Sequence, residues 1–135
     1  MKLRTVALLP LVFAASALAD DLTKSDELLC AAADVTVCFE LDECYPMVAD
    51  DIDMPNFVIV DLKKKLISTT KSSQMNRSTS VDTVERVDGV IYLQGIEQGR
   101  AFSFVINETT GHLTVAVSRD GLSVSVFGAC TDTDL

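Results

Sequence analysis

From Arg100 to Phe127 apolar and polar residues alternate one for one, and only short glycine-bearing breaks interrupt the pattern. Phe102, Phe104 and Ile106 oppose Ala101, Ser103 and Val105. Leu113, Val115 and Val117 oppose Thr114, Ala116 and Ser118, and Leu122, Val124 and Val126 oppose Ser123 and Ser125. Successive side chains of a strand point to opposite faces, so a period of two means strands with one packed and one wet face. Just upstream, Asp88-Gly89 separates the apolar runs Val81 to Val87 and Val90 to Ile96. A tight hairpin turn needs residues that accept positive φ, which Asp-Gly supplies. Gly95 and Gly99 read as a bulge and a turn glycine. The chain is therefore expected to be all-β, an antiparallel meander of about seven to eight strands closing into a small barrel or folding into a sandwich, because open edges invite aggregation.

The first half is less regular. Val35 to Phe39 reads as a strand that Cys30 to Ala33 extends or precedes with a bend. Glu40 to Pro55 carries six acids and two prolines and reads as a loop. Phe57 to Leu62 is a continuous apolar run, as in a central strand. Lys63 to Lys65 forms a turn before a short strand, Leu66 to Thr69. Thr70 to Thr79 reads as a mobile loop, and Asp20 to Glu27 as a frayed polar start.

Lys2 and Arg4, then the apolar stretch Val6 to Leu18, then Ala17-Leu18-Ala19 form the pattern of a secretory signal peptide, too short to span a bilayer. Residues 1–19 are thus expected to be removed, leaving a single soluble all-β domain at 20–135, secreted or periplasmic. In an oxidising compartment the four cysteines are expected to form two disulfides. Three pairings are open. Five residues separate Cys38 from Cys44, which favours a local clip and leaves Cys30 for Cys130. A zinc site prefers cysteine pairs about two residues apart, whereas the gaps here are seven, five and eighty-five residues.

Lys2 and Arg4 leave with the leader. Nine of eleven basic residues then face twenty acids, a net charge of −11. Nucleic-acid phosphates would repel such a chain, and no further apolar stretch is long enough for membrane insertion. His112 is the only imidazole, at a strand start with no serine or cysteine nucleophile pattern around it. Asp51 and Asp53 lack the setting of paired glycosidase acids, and Asp50 to Asp53 lacks the spacing of a calcium loop. No catalytic, cofactor-binding or metal residue is therefore assigned, and an enzyme is the least favoured class. The first expectation is a non-enzymatic binding or interaction module. Its partner would be cationic, a lysozyme-like hydrolase or a basic envelope or host protein, met through Asp50, Asp51, Asp53 and Phe127. Phe127 otherwise packs under the acidic loop. The alternative is a carrier of a small apolar ligand, with Phe57, Ile59, Phe102, Phe104, Val115 and Val124 lining the interior. Opposed to it stands the reading that these side chains simply fill the core.

Met54-Pro55-Asn56-Phe57, Val60-Asp61-Leu62, Val84-Glu85-Arg86-Val87-Asp88-Gly89, Leu93-Gln94-Gly95, Thr109-Thr110-Gly111 and Val126-Phe127-Gly128-Ala129-Cys130 resemble a group of small exported bacterial proteins with a C-terminal VFGAC-type motif. The resemblance spans Cys30 to Cys130. It implies a shared fold and disulfide pattern and brings no activity with it. In architecture alone the chain is similar to periplasmic lysozyme inhibitors, whose serine-glycine loop has no counterpart at Gly99-Arg100-Ala101-Phe102.

Overall fold

The computed structural model describes residues 21–133; the expected leader, Met1 to Ala19, lies outside them. Ten strands are present: β1 (Glu27–Phe39), β2 (Cys44–Met47), β3 (Phe57–Asp61), β4 (Leu66–Thr69), β5 (Ser78–Ser80), β6 (Thr83–Val87), β7 (Val90–Glu97), β8 (Arg100–Asn107), β9 (His112–Arg119) and β10 (Leu122–Asp132). All pair antiparallel in one sheet of order β5-β4-β3-β1-β10-β9-β8-β7-β6, with β2 attached to β1 off this path. The sheet curls into a half-barrel. Two short 3-10 helices, Ala49–Ile52 and Lys71–Ser73, are the only helices among the described residues.

The second half follows its alternation closely. The strands beyond the expected eight are β2 and β5, in stretches expected to be loop. Pro46 has no N–H to donate, and β2 pairs with β1 alone, so the proline sits on an edge strand that tolerates it. In β5, Ser78 to Ser80 pairs with Leu66 to Ser68. That polar segment gains its order from the ladder rather than from burial.

β1 organises the sheet. It pairs with β10 along almost its whole length, with β3 through Glu27 to Ala31, and with β2 through Val35 to Cys38. A register shift between Ala32 and Asp34 separates the two halves. A bulge bends the strand and raises its twist, so β1 changes partners there. Gly128 faces the bulge, and a methyl group on it would stand 1.9 Å from the Ala31 carbonyl oxygen. Both disulfides join register partners, Cys30 to Cys130 across β1–β10 and Cys38 to Cys44 across β1–β2.

One end of the curl is filled. Leu28, Val60, Ile91, Leu93 and Ile106 are wholly buried there. Leu22 joins them with no exposed surface, which corrects the expectation of a frayed start. The physical reason lies outside the segment. Leu22 N donates to the Glu108 carbonyl at 2.8 Å, and the Arg86 guanidinium donates to the carbonyls of Thr23 and Ser25. Arg86 Nη1 also lies 3.2 Å from the buried Glu108 carboxylate. Ser25 Oγ donates to Asp132 on β10.

Candidate functional site

The other end of the curl is hollow. A cavity of about 610 Å³ lies against the concave face, between the sheet and the segment that links β2 to β3. Its wall is built from the inward positions of β1, β8, β9 and β10: Val37, Phe102, Phe104, Val115, Val117 and Val124. Register accounts for their shared face, since Phe102 pairs with Val117, Phe104 with Val115, and Val37 with Val124. Most of these wall residues are valines. Their short side chains suit a pleated strand but reach little way into a curled sheet, so the concave space is not closed.

Gly95 does not line the cavity but bears on it through its ladder partner Phe102, which does. It stands in an unbroken stretch of the β7–β8 ladder opposite Phe102, so it is not a bulge glycine. A methyl group on Gly95 would come within 2.5 Å of Phe102 Cζ. The missing side chain lets the Phe102 ring lie back against β7, where it meets Phe104 edge-on at 6.2 Å.

Ile52 and Met54 close the cavity from the linking segment, and both are half-buried. This segment starts with the helix Ala49–Ile52, which Asp53 ends in the left-handed region at φ 53°. Arg77 holds it to the β4–β5 connection, donating from Nη2 to the Asp53 carbonyl at 2.9 Å and facing its carboxylate from Nη1 at 3.5 Å. The pair is exposed, so its electrostatic contribution is small, and its main effect is to position the segment.

The mouth is polar. Glu97, Gln98, Arg100 and Arg119 line it at the strand ends of β7, β8 and β9, with Asp51, Asp53 and Arg77 on the opposite side. Thr79 Oγ1 donates to the Glu97 carboxylate, and Arg100 Nη2 donates to Gln98 Oε1 at 3.0 Å.

The residues singled out from sequence are dispersed. Phe102, Phe104, Val115 and Val124 line the cavity, whereas Phe57 and Ile59 do not. The continuous run Phe57 to Leu62 carries no parity of its own. Pairing with Leu28 and Cys30 turns Val60 and Val58 inward and leaves Phe57 51% exposed. Asp51 and Asp53 reach the cavity mouth, and Asp50 accepts a hydrogen bond from Asn56 Nδ2 at 3.1 Å. Phe127 is 57% exposed, which corrects the expectation that it packs under the acidic segment. It has the outward parity of β10, on the side of the sheet that carries no second layer. His112 is exposed at the start of β9. Among the described residues no group of three or more His, Cys, Asp or Glu is arranged to hold a metal ion, and no helix is long and apolar enough to cross a membrane. Two displaced pKa values belong to exposed groups outside the cavity. The hydroxyl and amide of Thr23 hold the Asp21 carboxyl below its ordinary value, and Asp26 raises Lys63 by hydrogen bonding and charge.

Neither a family model, nor a curated protein, nor a solved structure matches this chain. Any role for the site therefore rests on its own geometry.

Proposed function

We propose that this is a non-enzymatic, exported binding protein that holds a small, largely apolar ligand in the hollow end of its half-barrel. One observation carries the reading: the concave face is packed at one end and forms an open hollow of about 610 Å³ at the other. Cavities of about 300–1,000 Å³, mostly apolar and ringed by a few polar groups, are typical of small-molecule sites. Side chains that merely filled the core would leave no hollow of this size on the concave face. Two disulfides support placement in an oxidising compartment. The test is mass spectrometry of the mature protein from its native host, native and denatured. Extra mass in the native spectrum that denaturation removes is the expected result, and it names the ligand class. Identical masses, together with no uptake of an added neutral apolar dye such as Nile red, would remove the proposal.

A second reading, with a cationic protein as partner, is favoured by a separate feature. The hairpin between β1 and β2 is clipped at its base by Cys38–Cys44 and carries Glu40, Asp42 and Glu43 around Leu41. Leu41 is fully exposed, with φ at 61°. A rigid acidic tip bearing one apolar residue suits a cationic protein such as a lysozyme-like hydrolase, or a basic envelope or host protein. Charge would then set the association rate. Binding to a basic lysozyme should weaken steeply with added salt, and should be lost in Leu41→Asp; salt-independent binding would reject this reading.

A further inference from the structure

We infer that the ligand is an amphipathic anion, an apolar body with one carboxylate-like head, and that Arg100 and Arg119 receive the head at the mouth of the cavity. The inference rests on reading the cavity as a ligand site.

Arginine is scarce in the mature chain. Beyond the leader there are four, Arg77, Arg86, Arg100 and Arg119, against twenty acids. Three of these four line the cavity. Arg77 and Arg86 have carboxylates within 4 Å, at Asp53 and Glu108. Among the described residues Arg100 and Arg119 have none, and Arg100 makes a single side-chain hydrogen bond, to neutral Gln98.

Their placement is set by the ladder. Ala101 pairs with Ser118, so Arg100 and Arg119 stand at the next rung, on neighbouring strands. Both share the inward parity of Phe102 and Val117, directly above the apolar wall. Like charges facing each other across a strand pair are destabilising. Glu97 is the ladder partner of Arg100 on β7, yet its carboxylate turns to the Thr79 hydroxyl, and among the described residues neither arginine has a carboxylate within 4 Å. An anion bound between the two guanidiniums would relieve the repulsion, and a planar fork of donors matches a carboxylate in bidentate geometry. The other charges at the mouth do not supply that anion. The Asp53 carboxylate faces Arg77, the Glu97 carboxylate accepts from Thr79, and Asp51 sits across the opening on the linking segment. The apolar body would lie along Phe102, Val117 and Val124.

The experiment compares decanoate, decanol and decylamine, each competing with Nile red on the mature, disulfide-bonded protein. The variants are Arg119→Gln and Arg100→Gln, exposed positions where the fold tolerates a neutral side chain. Decanoate is expected to bind about tenfold more tightly than decanol, and decylamine more weakly than either. Each substitution should reduce decanoate affinity severalfold and leave decanol unchanged. Equal binding of decanoate and decanol would overturn the inference while leaving the cavity reading intact. Loss of decanol along with decanoate in the variants would also overturn it, since the arginines would then be shaping the cavity. Failure of all three ligands and of Nile red to bind would remove the cavity reading itself.

Discussion

Gly95 on β7 and Phe102 on β8 are register partners, and the Phe102 ring occupies the place a side chain at Gly95 would take, 2.5 Å from where its Cβ would stand. The relationship ties one backbone position to the volume of the cavity. The colliding atoms are the far end of a side chain that can swing, so Gly95→Ala should turn the ring into the hollow rather than break the sheet. We expect a loss of about 1–2 kcal/mol in stability and a several-fold loss of Nile red affinity. Urea unfolding and dye titration of the same preparation would show both. Unchanged dye affinity would mean that the ring does not border the bound molecule.

Gly128 gives the opposite outcome. Its missing Cβ would lie 1.9 Å from the Ala31 carbonyl oxygen, a backbone atom that cannot rotate away. Gly128→Ala should force β1 and β10 apart at the bulge and abolish cooperative folding, seen as loss of a sharp thermal transition. Gly89 serves as control. It has open space around it and a φ of 78°, so Gly89→Ala should cost only the left-handed backbone strain of about 1–2 kcal/mol and keep the cooperative transition.

The two disulfides should differ in weight. Cys30–Cys130 closes a separation of 100 residues and Cys38–Cys44 one of 6. In the chain-entropy model their removal costs about 4–5 and about 2 kcal/mol respectively. Urea midpoints of the paired Cys→Ala variants should follow that order. Loss of Cys38–Cys44 should leave the cavity's dye binding nearly intact, because neither cysteine lines it and Cys38 has the parity opposite to the wall residue Val37.

Leu22 fills the closed end and has no exposed surface. Leu22→Ala should cost about 2–5 kcal/mol, the range for a large-to-small change in a packed core. Arg86→Met removes the donors to the Thr23 and Ser25 carbonyls and leaves the Glu108 carboxylate buried without its cation. It should expose the segment to proteolysis ahead of the rest of the chain. Equal resistance in wild type and variant would mean that the segment is held by packing alone.

Much of the architecture was legible in the chain, and unevenly so. β7 to β10 follow their alternation, and Phe102, Phe104, Val115 and Val124 take the inward face it assigned. Phe57 and Ile59 were placed on the wrong face because a run that is apolar at every position has no preferred side until a neighbour pairs with it. Phe127 had the right parity for exposure, yet its size invited a packing partner that the single-layered sheet does not provide.

By itself the sequence determined the strand class, the turns at Asp88-Gly89 and the other glycines, the face of each alternating strand and the options for cysteine pairing. These properties are local. A period of two, a residue that accepts positive φ, or five residues between cysteines constrains the chain wherever it folds. The tertiary structure alone decided the bulge at Ala32–Asp34, the burial of Leu22, the hollow between sheet and linking segment, and the neighbouring positions of Arg100 and Arg119. Each depends on which distant strands meet and in what register. A cavity in particular is the difference between the space a curled sheet encloses and the volume its inward side chains fill, and no stretch of residues carries that difference alone.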